Sequence, residues 1–190
     1  EIFGGYTFRY SKFLEKITDN SSPIEKVKAY LECHERDWVP DQENIFEKKL
    51  GFSWNKIYDI LEPFFNNDLS PLDQLFLADF NGKLMHNFVP NYKKFYDFFQ
   101  VSSVSPFLDN SVIEHGLHLH PKEKYDSSNN IGKLPLRNLL SNDVSSLLFP
   151  KLKQGFVVNA SSLWDSYGKE ICKHYLFDAR IVKNGWISEQ

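Results

Sequence analysis

The sequence predicts a mainly α-helical chain, and three observations support this prediction. Helix-capping patterns recur from residue 7 to about residue 100, apolar side chains follow them at intervals of three and four, and strand patterns are few. With 190 residues, of which 42% are apolar and 16% aromatic, the chain can bury one sizeable core. We therefore expect a single domain over residues 1–190.

The helix starts are marked by polar capping residues, each followed by apolar residues at helical spacing. Ser22, Ser53, Ser70 and Asp109 are placed to cap helix N-termini, and Gly51 stands where a helix C-terminus favours glycine. The helices predicted in this way, in chain order, cover Pro23 to near Trp38, 41–50, 54–61, a segment from Pro71, 91–99 and 111–118.

Few segments are predicted to be non-helical. Residues 125–132 are polar and rich in turn-forming residues, which predicts a loop or mobile connection. Strand patterns are confined to residues 100–104 and 155–158.

Composition and charge exclude several classes of function. The 22 basic and 25 acidic residues give a net charge of −3, which supplies no general attraction to nucleic acid or to an anionic membrane. No segment approaches the roughly 20 apolar residues of a membrane helix. Cys33 and Cys172 are the two cysteines and form no disulfide framework. We interpret both as buried thiols and expect a cytoplasmic protein.

A local basic cluster stands out against the acidic remainder. Between Pro121 and Lys153 the sequence contains six basic residues and three acidic ones. The basic ones are Lys122, Lys124, Lys133, Arg137, Lys151 and Lys153. Ammonium groups near a glycine-containing turn suit a phosphorylated small molecule, because the charges stabilise phosphate and glycine permits close backbone approach. The alternative is a solvated basic face.

Two further patterns leave alternatives open. His115, His118 and His120 have a spacing that could ligate a transition metal, although surface histidines are the simpler interpretation. The aromatic stripes Phe64-Phe65 and Phe95–Phe99 favour a core or docking face over a base-stacking platform, because few basic residues are interleaved with them.

Four short motifs occur in a familiar order. They are Glu1-Ile2-Phe3-Gly4-Gly5-Tyr6, Pro106-Phe107-Leu108-Asp109, a Lys-x-x-Leu-Arg motif at Lys133–Arg137 and Lys151-Leu152-Lys153-Gln154-Gly155-Phe156. Together they resemble the synthetase domain of the asparagine synthetase family. The resemblance implies the helical C-terminal half of a Rossmann-like α/β domain of the adenine nucleotide α-hydrolase type, with its parallel-sheet half absent from these residues.

The resemblance also implies a chemistry and its components. Members adenylate a carboxylate with ATP and Mg²⁺, release pyrophosphate, and form an amide when ammonia or an amine attacks the acyl-adenylate. The Ser-Gly-Gly-x-Asp-Ser loop that holds ATP is not in these residues. We therefore expect the 190 residues to be inactive alone and to need an upstream nucleotide-binding part, with a glutaminase domain as a further candidate partner.

The same resemblance assigns candidate site residues. Lys153 matches the lysine that reaches the phosphates, and Lys151, Lys133 and Gly155 match further nucleotide- or pyrophosphate-binding positions. Glu1 matches the glutamate of an Asp-Glu pair near the magnesium-pyrophosphate site, but its partner would precede residue 1. Arg137 has either a structural or a catalytic role, and Asp109 is interpreted as a helix cap.

The chain departs from the family where the amino-acid substrate binds. Asp79 falls on a family aspartate, but Ser102 and Val104 stand where the family has Glu and Arg, and Lys93-Lys94 replace an Asp-Arg pair. The replaced positions put aspartate in doubt as the substrate, and the alternatives are a sugar acid, a peptide or another metabolite. The alternative function is a non-catalytic helical interaction module, and an exposed apolar face predicts self-association.

Overall fold

The computed structural model describes residues 2–34, 42–46, 49–143, 159–176 and 178–188, and these residues are mainly helical. The helices are α1 (Thr7–Lys16), α2 (Pro23–Glu32), α3 (Gln42–Ile45), α4 (Trp54–Phe65), α5 (Pro71–Ala78), α6 (Val89–Phe99), α7 (Asn110–His118), α8 (Pro121–Lys124), α9 (Leu134–Asp143), α10 (Ala160–Leu163), α11 (Lys169–Tyr175) and α12 (Arg180–Lys183). A π-helical segment, Asp79–Phe88, joins α5 to α6, and a second, Trp164–Gly168, joins α10 to α11. A 3₁₀ turn covers Pro106–Leu108.

The four predicted helix caps are confirmed, and at the start of α4 the Ser53 hydroxyl accepts a hydrogen bond from the Asn55 N–H at 3.2 Å. The Ser22 hydroxyl accepts a hydrogen bond from the Glu25 backbone N–H, and the Glu25 carboxylate accepts one from the Ser22 N–H at 2.7 Å. Ser70 caps α5 through the Asp73 N–H, and Asp109 caps α7 through the Ser111 N–H. These caps depend on residues three positions apart or fewer, which is why the sequence predicts them.

Helix ends agree less well with the predictions. α2 ends at Glu32, six residues before Trp38, which lies outside the described residues. α4 continues to Phe65 in spite of Pro63. The predicted helix 41–50 is shorter in the structure: α3 ends at Ile45, so Gly51 does not close it, although Gly51 has a φ of +60° in the left-handed region that favours glycine.

The predicted strand at 100–104 is wrong. Gln100 ends α6 in a left-handed conformation, with a φ of 53°, and the residues that follow it form no ladder. Alternating sequence alone makes no strand without a partner for its backbone groups. The predicted strand at 155–158 lies outside the described residues.

The predicted loop at 125–132 is a short hairpin. β1 (Tyr125–Asp126) and β2 (Ile131–Gly132) pair antiparallel, with Tyr125 opposite Gly132. The turn between them is organised by the Asp126 carboxylate, which accepts hydrogen bonds from the Ser128 and Asn129 N–H groups. The polar residues therefore form the turn of a hairpin, and the residues on either side of this turn pair as strands.

The chain divides into two compact units, and the larger contains Glu1–Asp37 and Tyr58–Phe149. Its core is aromatic. The rings of Tyr10 and Phe76 lie 5.1 Å apart, and the Phe65 ring lies 5.8 Å from Phe13 and 5.4 Å from Tyr30. Because α1, α2, α4 and α5 each contribute a buried ring, burial of these side chains joins the four helices.

A buried ion pair lies beside this aromatic core. Both Arg9 Nη atoms donate to the Asp79 carboxylate, at 2.7 and 3.0 Å, and the Tyr30 hydroxyl donates to the same carboxylate at 2.9 Å. Arg9 also contacts His34 and lies over the Tyr6 ring, 4.1 Å from its centre. Burial raises the pKa of Asp79, and the Arg9 charge opposes that effect. The pair joins α1, α2 and the start of the π-helical segment.

The smaller unit contains Trp38–Ile57 and Pro150–Gln190. In its described part, Phe46 forms a β-bridge with Ile187, and the Lys49 ammonium lies 5.0 Å from the centre of the Trp186 ring. Its helices are short and much of their surface is exposed. None of the helices in the described ranges is long and apolar enough to cross a membrane.

The two cysteines differ in exposure. Cys33 is buried as predicted, whereas Cys172 is only half-buried, so the prediction for Cys172 is wrong. Cys172 belongs to α11, a short helix whose other residues are exposed and form no core around the thiol.

We expect Cys33 to resist a thiol reagent in the folded chain while Cys172 reacts. Burial raises the pKa of Cys33 to about 11, above an unfolded value of about 8.5. The raised pKa therefore stabilises the fold fully below about pH 8.5, and this contribution is lost as the pH rises towards 11. Titration with a disulfide reagent at pH 8 should modify one thiol per native chain and two after unfolding. In Cys172→Ala, the native chain should have no thiol that reacts. Two equally fast thiols would contradict this expectation.

Candidate functional site

A cleft of about 990 Å³ lies in the larger unit, where three of the predicted motifs meet. Its lining comes from the end of the π-helical segment, α6, the N-terminal segment, residues 101–108 and the start of α9. The lining residues are Ile2, Phe3, Gly5, Leu84, Phe88, Val89, Tyr92, Lys93, Tyr96, Asp97, Val101, Ser102, Ser103, Val104, Ser105, Pro106, Phe107, Leu108, Lys133 and Leu136.

The N-terminal motif is held in place by close approaches that require glycine. A Cβ on Gly132 would lie 2.0 Å from the Gly4 carbonyl oxygen, and one on Gly116 would lie 2.2 Å from the Ile2 side chain. Gly4 has a φ of +73°, a conformation that few other residues adopt. The Gly-Gly pair and two distant glycines therefore let α7 and the hairpin pack directly on the N-terminal segment.

Lys133 connects this segment to the cleft. Its φ is 58°, and its backbone N–H is shared between the carbonyls of Phe3 and Gly4 at 3.1 and 3.2 Å. The side chain runs across Gly5, since a Cβ there would lie 3.0 Å from Cε and 4.0 Å from Nζ. Lys133 is exposed, and among the described residues no carboxylate forms an ion pair with it. The structure therefore places one predicted anion-binding residue in the cleft.

The other predicted site residues lie outside the part of the chain that the structure describes. They are Glu1, Lys151, Lys153 and Gly155. Their roles stay predictions.

Arg137 and Asp109 have clear structural contacts. Arg137 Nε donates to the Gly132 carbonyl at 2.9 Å, which ties α9 to the hairpin. The Asp109 carboxylate accepts hydrogen bonds from the Ser111 backbone N–H and hydroxyl, and these bonds lower the pKa of Asp109. Both residues support the cleft wall from outside, and neither lines the cleft.

The positions that depart from the family motif divide between the cleft and the core. Lys93, Ser102 and Val104 line the cleft, whereas Lys94 is not among its lining residues. Lys93 forms an exposed ion pair with Asp97 at 2.9 Å. Asp79 is buried in its pair with Arg9 and does not reach the cleft.

The histidine pattern forms no metal site in the described residues, which contain no group of three His, Cys, Asp or Glu side chains able to hold a metal ion. His118 Nδ1 contacts the Glu114 carbonyl at 2.7 Å, and the His120 side chain accepts a hydrogen bond from the Lys122 N–H. Lys122 is exposed, and Lys124 is buried with its ammonium 4.9 Å from the centre of the Phe76 ring. Burial lowers the pKa of Lys124. The basic cluster is therefore not one solvated face.

Sequence reasoning missed two features of this unit. It assigned no partner to Asp79, and it did not place the rings of α6, such as Tyr92 and Tyr96, in the wall of a cleft. Their spacing of four residues indicates one helix face, and this is the signal that could have found the wall.

The fold and the cleft define a mainly helical unit that presents a cationic side chain beside an apolar cavity. The chain belongs to the asparagine synthase family, whose family model matches residues 1–190. A search of curated proteins and a search of solved structures each gave no match. Family membership supports an asparagine synthetase-like, ATP-dependent amide-forming ligase function at the level of the family.

Proposed function

We propose that this chain supplies the carboxylate-binding side of an ATP-dependent amide-forming synthetase. The single observation that carries the proposal is the meeting of three family motifs at one cleft, through Gly5, Phe107 and Lys133. Gly5 is more than 100 positions from both Phe107 and Lys133, so the fold brings distant motifs to one cavity, as a shared ligand site requires. The cleft volume suits a small-molecule site, since such sites span about 300–1,000 Å³.

The proposed reaction has two steps. A carboxylate oxygen attacks the α-phosphorus of ATP, the bond to the β-phosphate breaks, and pyrophosphate leaves. A nitrogen nucleophile then attacks the acyl carbon, AMP leaves, and the nitrogen releases a proton to solvent. Negative charge develops on phosphate oxygens in the first step, so a fixed ammonium group such as that of Lys133 stabilises it.

Lys151, Lys153 and Gly155 belong to the same proposal through the family motif alone. Lys153 is proposed to contact the pyrophosphate, with Lys151 in a lesser role because lysine lacks the two-pronged geometry of arginine. Gly155 would allow the backbone to approach the phosphates.

Magnesium does not fit the described residues. The one carboxylate in the described lining of the cleft is Asp97, which is already paired with Lys93. Mg²⁺ in phosphate-transferring sites is held by carboxylates together with substrate phosphates. We therefore assign no step to the metal.

The test is carboxylate-dependent exchange of labelled pyrophosphate into ATP, measured on a protein that combines this chain with a Ser-Gly-Gly-x-Asp-Ser loop. We expect exchange that requires a carboxylate and that Lys133→Met lowers about tenfold or more, because a preorganised charge contact is lost. Lys28→Met is the matched control, since Lys28 is exposed and lies outside the cleft lining. Equal exchange by both variants would remove Lys133 from the site.

A second candidate function is a non-catalytic interaction module. The rings of Phe95, Phe98 and Phe99 on α6 are 62%, 79% and 66% exposed, and Asn91 and Lys94 complete a shallow apolar patch with them. Such a patch is typical of a surface that another chain covers. Sedimentation of the chain and of Phe98→Ser distinguishes the candidates: association that this substitution abolishes supports the module, and an unchanged monomer argues against it.

A further inference from the structure

We infer that the cleft selects a carboxylate carried on a large apolar body, and not a dicarboxylic amino acid. This inference rests on the proposed function, whose site it specifies. The side chains that line the cleft support this inference, and the affinity of the chain for carboxylates tests it without any reaction.

The lining of the cleft contains more aromatic side chains than charged ones. Phe88 and Tyr92 form one ring pair, with centres 6.3 Å apart, and Phe3 and Phe107 form another at 6.2 Å. Tyr92 and Phe107 are 58% and 55% exposed, so each has ring surface left to cover. Burial of aromatic surface is favourable at about 25 cal/mol per Å². A ligand with an apolar body is therefore favoured by both ring pairs.

The cleft carries one net positive charge in its described lining. Of its three charged residues, Lys93 and Asp97 neutralise each other, and Lys133 remains. A monocarboxylate matches this charge. Aspartate has the same net charge but carries three charged groups, and in the described lining its ammonium and second carboxylate find partners only by breaking the Lys93–Asp97 ion pair.

Val104 is a further residue of the cleft lining that favours a ligand with an apolar body. Val104 is 88% exposed and lines the cleft between Ser103 and Ser105. Its side chain can contact a ligand only through methyl groups, and the neighbouring serines offer neutral hydroxyls. This edge of the cleft therefore accepts an apolar or hydroxylated group and offers no charge to a second acid.

The Lys133 ammonium marks where the carboxylate lies. Because its stem lies across Gly5 and its backbone N–H is bonded to the carbonyls of Phe3 and Gly4, the charge lies at the part of the cleft that the N-terminal segment lines. The apolar body would extend from there along α6, towards Tyr92 and Tyr96.

Calorimetric titration of the 190-residue chain tests the inference with three probes: 4-phenylbutanoate, the neutral 4-phenylbutanol and aspartate. We expect the acid to bind about fivefold more tightly than the alcohol, as an exposed charge pair allows, and aspartate to bind weakest. Lys133→Met should reduce the acid to the affinity of the alcohol, and Lys28→Met, at an exposed lysine that lines neither the cleft nor the α6 patch, should leave the difference intact. Val104→Asp, which adds a carboxylate to the wall, should weaken phenylbutanoate binding more than phenylbutanol binding.

Three results would overturn the inference: tightest binding of aspartate, equal binding of acid and alcohol, or absence of binding by both phenyl probes. Circular dichroism of each variant separates loss of binding from loss of fold, and all three substituted side chains are exposed. The proposed function fails separately, if the cleft binds phenylbutanoate as expected but no carboxylate supports pyrophosphate exchange. If the protein that carries the ATP-binding loop adenylates aspartate while the chain binds neither phenyl probe, this inference alone is wrong.

Discussion

Asp79→Asn is expected to lower the free energy of unfolding by about 3–5 kcal/mol, because it leaves the Arg9 guanidinium buried without its counter-charge. Arg9 and Asp79 are 2% and 0% exposed, so water cannot replace the lost partner. The Tyr30 hydroxyl would lose its charged acceptor in the same change. Chemical denaturation monitored by circular dichroism measures the effect.

Asp97→Asn is the matched control for this prediction. It removes the same charge from an ion pair of similar length, 2.9 Å, but Lys93 and Asp97 are 72% and 64% exposed. Exposed pairs contribute about 0–1 kcal/mol, so the control should change stability little. A loss below about 1 kcal/mol for Asp79→Asn, or equal losses for the two variants, would contradict a structural role for the buried pair.

Lys153→Ala is expected to lower the adenylation rate about 100- to 1,000-fold in a protein that carries the ATP-binding loop. The reason is electrostatic: the family motif places this ammonium against the leaving pyrophosphate, where charge develops as the bond breaks. Folding should change little. The measurement is the rate of carboxylate-dependent pyrophosphate release, together with thermal unfolding of both proteins.

Lys173→Ala provides the control for Lys153→Ala. Lys173 is exposed, belongs to the same unit of the chain, and forms a surface ion pair with Glu170 at 3.0 Å. It should retain the full rate. Unchanged pyrophosphate release by Lys153→Ala would remove that residue from the site and would leave Lys133 as the cation that the proposal depends on.

Local features of the fold were predictable from the sequence, and distant pairings were not. Ser22, Ser70 and Asp109 cap helices because each bonds a backbone group within three residues. A short stretch of sequence therefore contains the whole signal. The strand predicted at 100–104 failed because pairing needs a second strand that no local pattern can supply. The hairpin at 125–132 was missed for a related reason, since its strands are two residues long.

The candidate site was predictable in its residues and not in its shape. The motif identified Lys133 as a candidate, but its left-handed backbone and its contacts with Phe3 and Gly4 depend on packing across more than 120 positions. Asp79 was identified by counting from Pro106, but its partner Arg9 lies 70 residues earlier, and no spacing indicated it. Residues that meet only in the folded chain define both the core pair and the cleft.

Product analysis of the complete reaction tests the central claim most directly. A protein that combines this chain with the ATP-binding loop should convert a carboxylate and a nitrogen donor to an amide, with one AMP and one pyrophosphate formed for each amide. Formation of ADP and inorganic phosphate, or consumption of ATP that does not depend on the carboxylate, would contradict the account.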